Sequence, residues 1–215
     1  MTTKLGYCST SSTKPHPPTP LLTLPPLTFT DPSHFSVIHT TITRTEFRTD
    51  DNGYSLWSSA LLTDPFTSGI VSITLTILSL PSLFSSIRFG LMDSNNPFPA
   101  LGEEIGLNVS CLLFSLLIFS DSVGLSPDGS LYYNTPSSDS FRRSNFPQIE
   151  GDCVRMEVDL DSTLRTLQFF VNGEAGERYM SGIPSSVRIG FSAKYQGISF
   201  RIDNVSRLSR PTPIS

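Results

Sequence analysis

Four carboxylates stand close together in the sequence: Asp152, Glu157, Asp159 and Asp161. The last three are two residues apart, so in a β-strand they point to the same face. Paired carboxylates on one face are the machinery of a glycosidase, and several oxygen ligands together suit a calcium ion. The residues that alternate with them are apolar. This alternation favours a third interpretation, the solvent face of a hairpin, on which Arg155 continues the charged row.

The sequence contains few residues that could form another kind of catalytic site. The three histidines, His16, His34 and His39, all lie among the first 40 residues. The sequence has no G-x-S-x-G nucleophile turn, no phosphate-binding loop, no G-x-G-x-x-G and no H-E-x-x-H. We therefore expect that the chain is not an enzyme and has no catalytic residues.

The cysteines argue against a metal centre. Cys8, Cys111 and Cys153 are far apart and form no C-x-x-C pair, so a zinc site is not expected, nor any other metal or cofactor. A signal peptide has a charged stretch followed by an apolar one, and this pattern does not occur at the N-terminus. Reduced thiols and a cytoplasmic location follow as the default prediction.

The charge distribution bears on the partners. The formal net charge is −4, and the basic residues are scattered, with only Arg142 and Arg143 adjacent. A nucleic-acid partner is therefore not expected, whereas an acidic surface suits protein partners. No apolar run reaches the roughly 20 residues that a membrane-spanning helix needs. None of these features predicts a particular oligomeric state.

Alternating apolar residues predict a series of short strands. Ile73, Leu75 and Ile77 alternate with Ser or Thr, and residues 87–91 form another short apolar run that ends at a turn sequence. The clearest hairpin lies between Gly151 and Gly173, where two alternating runs flank a short turn and Asn172-Gly173 supplies the next one. Two further strands follow near residues 187–191 and 198–202. This pattern predicts an all-β sandwich or barrel.

The segment 109–119, V-S-C-L-L-F-S-L-L-I-F, departs from this pattern because it is almost continuously apolar. As a strand it would be apolar on both faces, whereas a two-layer sandwich covers only one. Three interpretations remain open: a buried insertion, an apolar interaction or aggregation patch, and a stretch that does not belong to the natural domain.

The domain boundaries follow from composition. Residues 1–28 are crowded with Pro, Thr and Ser, which predicts a disordered or polyproline-II tail. The β-domain is expected over residues 29–205, with residues 107–121 as an apolar insertion, and residues 206–215 form a C-terminal tail.

Several of these blocks resemble the SPRY (B30.2) family. Residues 57–73 are similar to its tryptophan-led early segment, and residues 87–92 to a following strand. Residues 150–161 match a Gly-Asp…Val…Leu-Asp signature, and residues 167–173 match a strand that ends in Asn-Gly. Residues 187–191 resemble the penultimate strand. The resemblance implies a bent, two-sheet antiparallel β-sandwich of the concanavalin-like type.

The resemblance also implies a function. Such domains bind short peptide segments of partner proteins through loops at one end of the sandwich, so a protein or peptide partner is expected. Tyr195, between the last two strands, is the closest match to an aromatic residue of that surface. Weaker candidates are Arg44, Glu46, Tyr54 and Asp64. The alternative function is a lectin-like carbohydrate-binding domain, because two-sheet sandwiches also hold sugar sites.

Overall fold

The computed structural model describes residues 23, 26–29, 32, 35–40, 45–49, 58–80, 87–96, 122–125, 130–135, 138–143 and 150–213. These residues form two seven-stranded sheets in which all neighbouring strands are antiparallel. The first sheet has the order β1 (Leu27–Phe29), β4 (Ser58–Leu62), β13 (Val187–Ala193), β6 (Ile87–Asp93), β7 (Ser122–Leu125), β8 (Ser130–Thr135) and β9 (Ser138–Arg143). The second has the order β12 (Glu174–Ser181), β11 (Thr166–Val171), β10 (Cys153–Asp159), β5 (Ile70–Ser79), β14 (Ser199–Leu208), β3 (Thr45–Thr49) and β2 (Phe35–Thr40). The predicted all-β sandwich is confirmed.

The core lies between the two sheets and is built from alternating apolar residues. On β5 the predicted alternation is present, with Ile73, Leu75 and Ile77 buried, and Met156 of β10 lies opposite Ile73. The intervening residues of these strands face away from the first sheet, and we call that side the outer face of the second sheet. Since side chains alternate along a strand, one register fixes both the core and the outer face.

Aromatic rings join the sheets at the centre of the core. Phe200 of β14 contacts Phe191 of β13, with ring centroids 4.2 Å apart and planes at 72°. It also contacts Phe89 of β6, with centroids 5.7 Å apart and planes at 78°. Edge-to-face pairs of this kind stabilise a core beyond the area that they bury.

The predicted hairpin between Gly151 and Gly173 is confirmed. Strands β10 and β11 pair from Val154 opposite Val171 to Asp159 opposite Thr166. The following turn has positive φ at Asn172 (52°) and Gly173 (89°), the conformation that a two-residue hairpin turn requires.

One close approach between strands requires a glycine. A Cβ placed on Gly190 of β13 would lie 2.0 Å from the carbonyl oxygen of Ala60 on β4 and 2.7 Å from the Leu61 side chain. Since β4 and β13 are hydrogen-bonded neighbours, a larger residue at this position would separate them.

The described residues extend past the predicted domain limits on both sides. Strand β1 begins at Leu27, inside the predicted tail, and β14 continues to Leu208, past residue 205. The apolar segment 107–121 and Trp57, the first residue of the tryptophan-led segment, lie outside the described residues. Within the described part of the chain, no helix is long and apolar enough to cross a bilayer.

Cys153, the first residue of β10, is disulfide-bonded. This differs from the reduced thiols that the sequence predicts by default. Cys8 and Cys111 lie outside the described residues.

Candidate functional site

The loop between β13 and β14 is fixed by one buried threonine. Thr49, which is 1% exposed at the end of β3, donates its hydroxyl proton to the Tyr195 carbonyl oxygen at 2.6 Å. The same hydroxyl oxygen accepts the Ile198 N–H at 3.0 Å. Two backbone bonds add to these, from Thr49 N to Ile198 O (2.9 Å) and from Gly197 N to Thr49 O (3.0 Å). The loop backbone is therefore held on both sides of its tip.

The fixed backbone presents an aromatic ring to solvent. Tyr195 is 43% exposed, one of the large apolar side chains in the described chain that the core does not cover. The Lys194 ammonium lies 5.5 Å from the centre of its ring, within cation–π range. An exposed tyrosine on an ordered loop offers contact area and a hydroxyl group at a small entropic cost to a ligand.

Other loops lie at the same end of the sandwich. Glu150 accepts hydrogen bonds from the Leu80 amide at 2.9 Å and from the Ser79 hydroxyl at 3.2 Å. Asn172 donates to Asp152 at 2.8 Å and accepts from the Cys153 amide at 3.0 Å. We call the described loops of this end, residues 80, 150–152, 172–173 and 194–197, the Tyr195 end. Three strand spacings separate β11 from β14, so the Tyr195 end is about 14 Å wide from the Asn172 turn to the start of β14.

The structure places Asp64 at the opposite end. Strand β13 runs from Val187, which pairs with Phe66 near Asp64, to Ala193, which pairs with Ser58 and precedes the Tyr195 loop. These strand ends are six residues apart, which corresponds to about 20 Å. Asp64 and Tyr195 therefore do not contribute to one shared surface.

Glu46 lies within a strand rather than a loop. It belongs to β3, opposite Arg201 of β14, on the outer face of the second sheet. Arg201 in turn donates to Asp203 at 2.6 Å. The other two candidates, Arg44 and Tyr54, lie outside the described residues.

The four carboxylates of residues 152–161 do not converge. Asp152 belongs to the Tyr195 end, whereas Asp161 lies at the other end of β10 and accepts the Gly69 amide at 2.7 Å. Asp159 is 8% exposed and caps the turn by accepting the amides of Asp161 and Ser162, both at 3.0 Å. No group of three or more possible metal ligands occurs among the residues that the structure describes.

Glu157 is also buried, and the solvent-exposed interpretation is wrong for it. Its side chain is paired with Arg155 at 2.7 Å and covered by Thr212, which follows β14. The Arg155 guanidinium lies 3.6 Å above the centre of the Phe170 ring. Burial lowers the pKa of Arg155 below its ordinary value, and the adjacent Glu157 carboxylate opposes that shift. Nothing in the local sequence indicated this contact, which joins residues 55 positions apart.

The sequence matches no protein-family model and no curated protein. The fold, however, is similar to that of several solved structures. The SPRY domain of human HERC1 has a TM-score of 0.50 at 15% identity, over 84% of this chain and 99% of that one. The TRIM65 PSpry domain has a TM-score of 0.51 at 16% identity, over 82% and 88%.

Seed lectins are equally similar in fold. A seed lectin of Lotus tetragonolobus has a TM-score of 0.52 at 18% identity, over 86% of this chain and 94% of the lectin. At such identities the similarity establishes the fold alone. The chain has the two-sheet antiparallel β-sandwich fold that these SPRY domains and the seed lectin share.

Proposed function

We propose that this chain is a protein-interaction module, without catalytic activity, that recognises a short peptide segment of a partner through the Tyr195 end. The observation that carries the proposal is the exposed Tyr195 ring on a loop whose backbone is held by Thr49. A rigid sheet scaffold with an ordered aromatic loop is a common arrangement for binding, because little entropy is lost when the ligand arrives. The SPRY-like fold supports the same proposal.

The chemistry of the Tyr195 end suggests the kind of peptide. Tyr195 provides an aromatic face and Lys194 a positive charge next to it, while Glu150 is exposed on the same end. A segment with an apolar or aromatic side chain beside an acidic residue could pack on the Tyr195 ring and pair with the Lys194 ammonium at the same time. We expect such a motif to be enriched over basic or uniformly polar sequences.

The test is a display selection of the full chain against a random-peptide library, followed by affinity measurements on the enriched peptide. Tyr195→Ala should weaken binding by roughly 1–3 kcal/mol if the ring is a central contact. Tyr179→Ala is the matched control, because Tyr179 is 59% exposed but lies on β12 at the edge of the second sheet. Equal affinity of the two variants would refute the assignment of the site.

Carbohydrate binding is the second candidate function. It is favoured by the similarity in fold to the Lotus lectin and to a winged bean acidic lectin that was solved with methyl-α-D-galactose (TM-score 0.51, 16% identity). An exposed tyrosine ring can also stack on the apolar face of a sugar. Binding of the full chain to a glycan array, lost on Tyr195→Ala and absent for peptides, would support this candidate over the first.

A further inference from the structure

The segment after β14 returns across the outer face of the second sheet. Leu208, the last residue of β14, lies opposite Ile70 of β5, whereas Thr212 contacts Glu157 of β10, which lies opposite Ser72 of β5. Strand β5 separates β14 from β10, so the contact lies two strand spacings, about 10 Å, from β14. The segment therefore crosses β5 to reach β10.

The sheet under this crossing has short side chains. Ser206 of β14 and Ser72 of β5 lie opposite each other, and Ser72 lies opposite Glu157. Both serines are buried, with 4% and 5% exposure. Because these side chains are small, the extended segment that follows β14 can lie close to the sheet. It crosses the two serines and reaches the Arg155–Glu157 pair.

Thr212 contacts that pair through both its backbone amide and its hydroxyl group. Its amide donates to one oxygen of Glu157 at 2.7 Å, and its hydroxyl lies 2.6 Å from the other oxygen. The same hydroxyl oxygen accepts from Arg155 Nη1 at 2.9 Å. One hydroxyl group that both donates and accepts satisfies the two charged groups at once, and Thr and Ser are the short side chains that carry such a group.

The neighbouring prolines make the segment suitable for this contact. Thr212 stands between Pro211 and Pro213, so its N–H is the one backbone donor of the three residues. The proline that follows restricts Thr212 to extended backbone, which reduces the entropy lost on docking. On the receptor side, the Arg155 guanidinium is already fixed by stacking on Phe170 and by its ion pair with Glu157.

We propose that Arg155 and Glu157 form a second peptide-binding site, specific for an extended Pro-Thr-Pro or Pro-Ser-Pro segment. The chain's own residues 211–213 occupy it, and a partner that carries the same segment takes their place when they detach. The site lies on a sheet face rather than on the loops: Glu157 is four residues from the start of β10, about 14 Å from the Tyr195 end. It does not depend on the function proposed for that end.

A tethered segment competes strongly with any free peptide. Its effective concentration is about millimolar, so the unaltered chain should bind a free copy of the segment weakly, with at least tenfold tighter binding once the tether is disabled. Thr212→Val in the full chain removes the hydroxyl and retains the side-chain shape. The probe is a labelled peptide with the sequence of residues 207–213, measured by fluorescence polarisation.

The proposal predicts a specific pattern of affinities. The Thr212→Val chain should bind the probe at least about tenfold more tightly than the unaltered chain, since the tethered competitor is weakened. Adding Glu157→Gln should abolish this gain, whereas Glu46→Gln, a neutralised carboxylate elsewhere on the outer face, should preserve it. A probe with Val in place of Thr should not bind. Tyr195→Ala should leave probe binding unchanged, which separates this site from the Tyr195 end.

Several results would overturn the proposal. The first is that the unaltered and Thr212→Val chains bind the probe with equal affinity. The second is that the Thr212→Val chain still binds the probe tightly when Glu157→Gln is added. The third is that the probe with Val in place of Thr binds as tightly as the original probe. A second measurement needs no variant: the Thr212 amide should exchange its hydrogen slowly in the unaltered chain and faster when excess probe displaces it. Exchange at the rate of a free peptide without probe would show that the site is unoccupied and refute the proposal.

Discussion

Thr49→Val is the most informative single change for the candidate loop. The substitution keeps the size and branching of a side chain that is 1% exposed, and removes a hydroxyl that donates to Tyr195 O at 2.6 Å and accepts from Ile198 N at 3.0 Å. Two hydrogen bonds are therefore lost, and the Ile198 amide loses its partner in a buried position. Backbone bonds on either side remain, so the loop is loosened and not released.

The magnitude follows from these contacts. Each lost bond is worth about 0.5–1.5 kcal/mol net, and an unsatisfied buried donor costs about 1–3 kcal/mol. We expect the free energy of unfolding to fall by about 2–4 kcal/mol, which corresponds to a decrease in Tm of roughly 4–16 °C for a domain of this size. The assay is equilibrium urea denaturation, with the slope of the transition checked for constancy.

Thr28→Val is the matched control. Thr28 also uses its hydroxyl in a hydrogen bond, to the Thr63 hydroxyl at 3.0 Å, but that bond is exposed. Water replaces it, so the cost should stay within about 0.5 kcal/mol. If Thr49→Val and Thr28→Val shift the urea midpoint equally, the reasoning that Thr49 anchors the Tyr195 loop is refuted.

Three further changes test the fold. Gly190→Ala should prevent folding, because the added Cβ would lie 2.0 Å from the Ala60 carbonyl oxygen, and soluble, folded protein by circular dichroism would contradict this. At Gly173, φ is 89° and no atom lies within 4 Å of an added Cβ. Gly173→Ala should therefore lower the free energy of unfolding, measured in urea, by only about 1–2 kcal/mol. A variant that aggregates completely would contradict this prediction. Phe200→Ala, at a fully buried side chain, should cost about 3–5 kcal/mol, and a loss below 1 kcal/mol would contradict its central place in the core. The disulfide at Cys153 predicts that this residue resists alkylation until a reductant is added, and rapid labelling of the native chain would support the reduced state instead.

The sequence predicted those parts of the fold that depend on local pattern. The alternation in β5, β10 and β11 and the Asn172-Gly173 turn are local signals, and each was confirmed. The burial of Glu157 was not predictable, because the residue that covers it lies 55 positions later in the chain. The separation of Asp64 from Tyr195 depends on the pairing of β4 with β13, which is likewise set by distant residues.

The position of β5 in the second sheet has a consequence for synthesis of the chain. Residues 70–79 are made early, but their neighbours on either side, β10 and β14, comprise residues 153–159 and 199–208. Both edges of this apolar strand thus lack their partners until the ribosome has translated most of the chain. During that interval the apolar residues 109–119 have also been made. Non-local pairing of this kind folds slowly and leaves nascent chains prone to aggregation, so yield should depend on translation rate and on chaperones.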